Sequence, residues 1–181
     1  MKTEIRISGL GGQGVVLAGH ILGKAAAYDG KHVTQTQSYG AEARGSQAKS
    51  EILISDQRIG YPLVRKCDLL IAMNQGALEA NLTDLKEQAY LILDSTNVQK
   101  IPTLSSARVF TIPATETAEK TFGTKTYANM IILGATAKLT RIVTTSSLKK
   151  AVNDTTGESS QTNQRALREG EKLAHTKKTR N

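Results

Sequence analysis

A glycine-rich turn between a strand and a helix is the feature that most constrains the fold. Residues 4–8 alternate between polar and apolar side chains, which predicts a strand, and residues 14–28 follow with a helical spacing of apolar side chains. Between them stand Gly9, Gly11, Gly12, Gln13 and Gly14. Glycines at such a junction let the backbone turn sharply and present bare N–H groups to an anion. This order is typical of an open α/β sheet.

The rest of the chain repeats the alternation of strands and helices. Further strands are predicted at 32–37, 49–55, 69–73, 91–93 and 108–112, and further helices at 115–122, 126–139 and 161–174. We therefore expect a three-layer α/β/α fold with a Rossmann-like, mostly parallel sheet and a C-terminal helix. One domain is expected over residues 1–181, in which residues 153–181 supply a polar hinge at 154–160, the C-terminal helix and a basic tail.

Three of the glycines, Gly9, Gly11 and Gly14, match the G-x-G-x-x-G template of dinucleotide-binding folds. A nicotinamide or flavin site also needs an acidic residue about 20 residues later, at the end of the second strand. The strand at 32–37 carries no acid, and Asp29 lies before it. Four interpretations of the turn stay open: a nucleotide site of the NAD type without the usual acid, a compact structural turn, a site for a phosphate-bearing ligand, and a docking point for a partner protein.

A second unusual segment follows the strand at 32–37. It carries Ser38, Tyr39, Gly40, Glu42, Arg44 and Gly45. Its glycines let the backbone approach another surface, and Glu42 and Arg44, one residue apart in an extended stretch, point to the same side. One hypothesis is that the Arg44 guanidinium binds a phosphate or a partner carboxylate, with Tyr39 packed alongside. The alternative is an internal ion pair that only fixes the loop.

Polar side chains also follow two apolar strands of the predicted sheet. Asn74 comes after the strand at 69–73, and Asp94 comes after the strand at 91–93. The carboxyl ends of strands are where open α/β sheets place their ligands. Asn74 therefore joins the residues of the second segment as a candidate for ligand or partner contact.

Together, the two segments resemble the gamma subunit of the 2-oxoacid:ferredoxin oxidoreductases. That family has a G-x-G-G-Q-G turn after the first strand and a Y-G-P-E-x-R-G-G loop after the second. This chain has Ala41 in place of the usual proline and Ser46 in place of the second glycine of the loop. The resemblance continues through residues 50–55, 68–75, 129–134 and 163–174, and so covers nearly the whole chain.

The resemblance implies a subunit of an enzyme that oxidatively decarboxylates a 2-oxoacid, transfers the acyl group to coenzyme A and passes two electrons to ferredoxin. Residues 35–39 are more similar to the 2-oxoglutarate and branched-chain enzymes than to the pyruvate enzymes. The resemblance also implies a hypothesis for the turn, in which a phosphate or coenzyme A contacts Gly9, Gly11, Gly12, Gln13 and Gly14.

The same resemblance implies which groups lie outside this chain. The family places thiamine diphosphate, Mg²⁺ and the iron–sulfur clusters on other subunits or domains, so no cofactor is expected on this chain alone. The implied partners are the alpha and beta subunits, with a delta subunit as a further candidate, and ferredoxin through the complex.

The residues themselves show no catalytic or metal-binding pattern. An iron–sulfur cluster usually needs four thiolates, and Cys67 is the single cysteine of the chain. The three histidines are scattered and no nucleophile–base pair is recognisable, so neither a catalytic residue nor a metal site is expected. Cys67 precedes an apolar strand and is predicted to be a half-buried structural residue. A lone cysteine, no signal peptide and no long apolar run predict a cytoplasmic protein that binds no membrane.

The formal net charge of +8 is concentrated toward the C-terminus. Residues 1–137 carry 14 basic and 12 acidic side chains, whereas residues 138–181 carry 10 basic and 4 acidic ones. No aromatic residues are interleaved with these basic residues to stack on bases, so nucleic-acid binding is not expected. The basic surface instead suits an acidic partner, such as another subunit or ferredoxin.

A free-standing, Rossmann-like protein that binds a nucleotide or another phosphate is the alternative to an oxidoreductase subunit. The subunit hypothesis predicts an exposed, partly apolar face around residues 39–46. The free-standing hypothesis predicts a closed pocket at residues 9–14, with an acidic side chain that holds ribose.

Overall fold

The computed structural model describes residues 1–40 and 46–174. In these ranges the strands are β1 (Lys2–Leu10), β2 (His32–Tyr39), β3 (Gln47–Ser55), β4 (Cys67–Ala72), β5 (Leu85–Asp94) and β6 (Arg108–Ile112). The helices are α1 (Val15–Tyr28), α2 (Gln75–Asn81), α3 (Ala114–Phe122), α4 (Ala128–Thr140), α5 (Thr145–Thr156) and α6 (Ser160–Leu173). Short 3-10 turns follow α2 (Leu82–Asp84), precede α4 (Lys125–Tyr127) and join α5 to α6 (Gly157–Ser159).

The described strands form one six-stranded sheet in the order β2-β3-β1-β4-β5-β6. β3 runs antiparallel to both β1 and β2, whereas the β1–β4, β4–β5 and β5–β6 pairs are parallel. The predicted mostly parallel α/β sheet is therefore confirmed, with β3 as the reversed strand. After β1 the chain continues to β2, at one edge of the sheet, whereas after β4 it continues to β5 and β6, toward the other edge. The topological switch point, where such sheets usually bind ligands, thus lies between β1 and β4.

Two hydrophobic cores cover the two faces of this sheet. Apolar side chains of α1 and of α3 to α6 pack on one face, against Ile5, Ile7 and Ile52 among others. On the other face, α2 places Ala77 and Leu78 against β4 and β5. The layers are therefore unequal, because five of the described helices share one face.

Helices α4 and α6 approach each other at backbone distance. A Cβ atom at Gly134 would lie 2.2 Å from the Leu167 carbonyl oxygen, and one at Gly170 would lie 1.8 Å from the Ile131 carbonyl oxygen. Neither position can hold a side chain without moving a helix. This contact fixes the C-terminal helix on the core.

The polar hinge predicted at residues 154–160 is wrong. Helix α5 continues through Thr156, and the 3-10 turn Gly157–Ser159 leads directly into α6. The physical reason is burial of one helix face, since Leu148, Ala151 and Val152 pack into the core while the polar residues of α5 face outward. Polar composition alone therefore did not indicate a loop.

Candidate functional site

The glycine-rich turn (residues 9–14) lies at the edge of the sheet where the parallel strands end. It connects β1 to α1, and the Gln13 N–H donates to the Leu10 carbonyl oxygen at 3.1 Å to close it. Gly12 and Gly14 have φ angles of +90° and +71°, in the left-handed region that favours glycine. The predicted sharp turn from strand to helix is confirmed, and two of its glycines are required by backbone conformation.

Close packing also requires glycine in this turn. A Cβ atom at Gly9 would lie 2.9 Å from Val15 Cγ1 and 3.0 Å from Met73 Cβ. One at Gly14 would lie 2.2 Å from Asn129 Nδ2, which donates a hydrogen bond to the Gly14 carbonyl oxygen at 3.2 Å. The turn is therefore held between the end of β4 and the start of α4.

The Gln13 side chain fills the crevice at the topological switch point. Its Oε1 accepts hydrogen bonds from the Leu10 N–H at 2.7 Å and from Asn74 Nδ2 at 3.0 Å. Its Nε2 donates to the Met73 carbonyl oxygen at 3.3 Å. Asn74 in turn caps α2, because its Oδ1 accepts the Ala77 N–H at 2.9 Å. Two residues predicted from separate segments, Gln13 and Asn74, are thus brought into contact.

Part of the turn keeps free hydrogen-bond donors. The N–H groups of Gly12 and Gly14 have no acceptor among residues 1–40 and 46–174. Helix α1 starts at Val15 and adds the N–H groups of its first turn. A Cβ atom at Gly12 would meet nothing within 4 Å, so this side of the turn faces open space. Such an arrangement can donate hydrogen bonds to an anion such as a phosphate.

A cleft of about 520 Å³ opens beside Gly12. Its lining consists of Gly12, Gln13, Met73, Asn97, Thr115, Thr124, Lys125, Thr126 and Ala128. Lys125 is the one charged side chain in this lining, and its Nζ lies 3.4 Å from Glu119 Oε1 in an exposed ion pair. Exposed pairs of this kind are weak, so the Lys125 ammonium stays available to an anionic ligand.

A buried carboxylate supports the wall of this cleft. Asp94, at the end of β5, is fully buried and accepts hydrogen bonds from Asn97 Nδ2 at 3.0 Å and from the Thr115 N–H at 3.3 Å. The Thr115 hydroxyl also donates to Asp94, and the Thr96 N–H donates to it at 3.2 Å. With its oxygens occupied by these donors, Asp94 orients the cleft wall and does not act as a ribose-holding acid.

The second segment is described only in part. Ser38 and Tyr39 end β2, and the Gly40 N–H donates to the Gln47 carbonyl oxygen at 2.8 Å. Glu42, Arg44 and Gly45 lie outside the described residues. Exposed apolar side chains surround the described part: Tyr39 is 60% exposed, Leu10 37% and Leu17 38%. An exposed, partly apolar face of this kind is what the subunit hypothesis predicts.

Residues 4–173 match the model of the pyruvate ferredoxin/flavodoxin oxidoreductase family. The chain belongs to this family. It is 43% identical over 160 residues to the 2-oxoglutarate synthase subunit KorC of Methanothermobacter thermautotrophicus, and the match covers 85% of each chain. The ketoisovalerate oxidoreductase subunit VorA of the same organism is 35% identical over 133 residues, which are 74% of this chain and 27% of that one.

Solved structures of the family have the same fold. The gamma subunit of a keto/oxoacid ferredoxin oxidoreductase from Geobacter sulfurreducens matches with a TM-score of 0.85 and 39% identity, over 97% of this chain and 99% of that one. The 2-oxoglutarate:ferredoxin oxidoreductase of Magnetococcus marinus matches with a TM-score of 0.88 and 25% identity, over 98% of this chain and 32% of that one. The resemblance inferred from the two motifs is therefore confirmed: the chain is a subunit of a 2-oxoacid:ferredoxin oxidoreductase.

Sequence reasoning missed most of the residues in the cleft. Asn97, Thr115 and Lys125 come from three separate segments, and the fold brings them to the glycine-rich turn. One local signal is that Asn97 lies in the polar segment that follows the end of β5 at Asp94. Asn129, against which Gly14 packs, carries no local signal beyond its place in the segment 129–134 that resembles the family.

The lone cysteine is a buried structural residue rather than a half-buried one. Cys67 is the first residue of β4 and is fully buried, and burial raises the pKa of its thiol to about 11. Within the described ranges, no group of three or more His, Cys, Asp or Glu side chains is arranged to hold a metal ion. The helices of the same ranges include none that has both the length and the apolar character needed to cross a membrane.

Proposed function

We propose that this chain is the gamma-type subunit of a cytoplasmic 2-oxoglutarate:ferredoxin oxidoreductase, and that the cleft beside the glycine-rich turn binds the phosphate-bearing part of coenzyme A. The observation that carries the proposal is that Gly12, whose N–H has no acceptor among the described residues, and Lys125 line one cleft. Both kinds of donor suit phosphate oxygens.

The choice of 2-oxoglutarate is supported by the names of the relatives. The KorC relatives are named 2-oxoglutarate synthase subunits, and the Magnetococcus structure is described with 2-oxoglutarate, coenzyme A and succinyl-CoA bound. A branched-chain 2-oxoacid is the second candidate, because VorA is also similar.

The division of labour follows from the side chains that this subunit offers. The chain has one cysteine, and its described residues include no cluster of metal ligands. These side chains do not fit an iron–sulfur cluster or a Mg²⁺–diphosphate site. We therefore place thiamine diphosphate, Mg²⁺ and the iron–sulfur clusters on alpha, beta and delta subunits, which also pass electrons to ferredoxin. This chain contributes binding and orientation of coenzyme A, so that its thiol meets the acyl group on a neighbouring subunit.

The test uses the complex purified through a tag on another subunit. Coenzyme A-dependent reduction of ferredoxin or a viologen dye is measured with 2-oxoglutarate, a branched-chain 2-oxoacid and pyruvate in turn. The highest kcat/KM is expected with 2-oxoglutarate. A complex that prefers pyruvate, or a tagged subunit that does not recover this chain, would contradict the proposal.

A substitution at Lys125 tests the cleft itself. Lys125→Gln should raise the KM for coenzyme A about tenfold, because a charge-assisted hydrogen bond is worth about 1.5 kcal/mol or more. The KM for the 2-oxoacid should not change. Lys125→Arg should restore much of the affinity, and Lys120→Gln, an exposed change on α3 outside the cleft lining, is the matched control. An unchanged KM for coenzyme A in Lys125→Gln would place the coenzyme elsewhere.

A further inference from the structure

Strand β2 is an edge of the sheet with free main-chain groups. It pairs with β3 over its whole length, from His32↔Ser55 to Tyr39↔Ala48, without a break in register. Within the described ranges, the main-chain N–H and C=O groups of β2 bond to no element other than β3. Because residues of an antiparallel pair alternate between bonding the partner strand and pointing away from it, every second residue of the eight in β2 presents its N–H and C=O to the open side. An extended backbone can pair with such a row.

The sequence of β2 does not protect this edge against pairing. Natural edge strands are usually short, or carry charges, proline or a bulge that discourage another strand. β2 contains no proline, lysine, arginine, aspartate or glutamate, and it has no bulge. The opposite edge does have such features, because β6 is only five residues long, begins with Arg108 and is followed by Pro113. The chain thus protects one edge and leaves the other open.

An apolar pocket lies at the Tyr39 end of the open edge. Leu10, Leu17 and Tyr39 are its exposed apolar residues, and its volume is about 200 Å³. This volume is below the roughly 300–1,000 Å³ of pockets for whole small molecules, and it suits a single side chain. The pocket lies on the β2 side of the glycine-rich turn and shares Gly12 with the lining of the coenzyme cleft.

We propose that an extended segment of another subunit of the oxidoreductase adds to β2 as a seventh strand and places an aliphatic side chain in the pocket of Leu17 and Tyr39. Main-chain hydrogen bonds give this contact its affinity, and the pocket sets its register. The inference depends on the chain being a subunit of a multi-subunit enzyme, and its test at residue 39 is separate from the coenzyme test at Lys125.

A second copy of this chain fits the edge less well. Two copies that pair antiparallel about a two-fold axis bring the His32 end of one β2 to the Tyr39 end of the other. The His32 end is polar, with Lys31 directly before it and Asp29 three residues before it, so neither pocket would receive an aliphatic side chain. A different subunit can supply both the strand and the anchor.

Photo-cross-linking in the assembled complex tests which chain lies on this edge. Benzoylphenylalanine is introduced in place of Tyr39, the complex is purified through a tag on another subunit, and cross-linked peptides are identified by mass spectrometry. The expected product joins residue 39 to an extended segment of another subunit. A cross-link between two copies of this chain, or the absence of any cross-link to a subunit, would overturn the proposal.

A charge placed in the pocket tests its contribution to assembly. Leu17→Glu should reduce recovery of this chain with the tagged subunit at least tenfold, because a buried carboxylate would replace the apolar contact. Ala80→Glu adds the same charge at an exposed position on α2, away from this edge, and should be recovered like the wild type. Equal recovery of both variants would count against the strand addition while leaving the coenzyme test at Lys125 unaffected.

Discussion

The Asn74 side-chain amide donates a hydrogen bond to the Gln13 side-chain oxygen at 3.0 Å, and it joins the glycine-rich turn to the start of α2. The two residues lie 61 positions apart in the sequence, on either side of the topological switch point. Gln13 also bonds the backbone of β1 and of the segment after β4. One glutamine thus connects the two central parallel strands at the edge that carries the site.

Removal of this glutamine should destabilise the fold more than its partial exposure suggests. Gln13→Ala leaves the Leu10 N–H and the Asn74 amide without their acceptor, which we expect to lower the free energy of unfolding by about 1–3 kcal/mol. Urea unfolding measures the change. The control is Gln57→Ala, because the Gln57 side chain is exposed and makes no hydrogen bond within the described ranges. Equal midpoints for the two variants would show that the Gln13 contacts contribute nothing.

Because α4 and α6 are in close contact, adding one methyl group at Gly170 should strongly reduce the stability of the fold. In Gly170→Ala the new Cβ would lie 1.8 Å from the Ile131 carbonyl oxygen, so the helices must separate. We expect a loss of about 3 kcal/mol in the free energy of unfolding, at the upper end of overpacking effects. Gly60→Ala is the control, because a Cβ there meets nothing within 4 Å. A Gly170→Ala variant as stable as this control would refute the packing.

The Cys67 thiol should react slowly in the folded chain. Burial favours the neutral thiol and raises its pKa to about 11, so the reactive thiolate is scarce below that pH. At pH 8 the thiolate fraction is roughly 200-fold lower than for an ordinary thiol with a pKa near 8.5. Labelling with a disulfide reagent should therefore be slow in buffer and fast in urea. Rapid labelling in buffer would contradict the buried position.

The fold could be predicted where the signal is local. The turn at residues 9–14 follows directly from its glycines and the strand at 4–8 from alternating side chains, and β6 has the bounds predicted at 108–112. Helix α5 could not be predicted in this way, because its apolar residues are few and its polar face dominates the composition. Helix α2 has only seven residues, too few for a helical period to be recognised.

Only those site residues could be predicted whose own local segment carries a recognisable pattern. The glycines of the turn, Gln13 and Asn74 belong to such patterns. Nothing in the sequence distinguishes Lys125 from the other basic residues, 24 in all, and only the fold brings it into the same cleft lining as Gly12. Asn97 and Thr115 meet through Asp94, and this contact depends on the parallel register of β5 and β6. Contacts between distant segments follow from topology, which the sequence pattern alone does not specify.

Asp94 holds the cleft residues Asn97 and Thr115, so its replacement should affect both the stability of the fold and the binding of coenzyme A. In Asp94→Asn one carboxylate oxygen becomes an NH₂ group, which faces the donors of Asn97 or Thr115 instead of accepting from them. We expect a loss of about 1–3 kcal/mol in the free energy of unfolding, together with a several-fold higher KM for coenzyme A. The KM for the 2-oxoacid should stay the same, because Asp94 positions the cleft wall and touches no substrate. The two effects are separated by measuring the KM of the assembled complex at a temperature where both the wild type and Asp94→Asn are folded. A variant that loses stability but keeps its KM for coenzyme A would show that Asn97 and Thr115 support the fold without contacting the coenzyme.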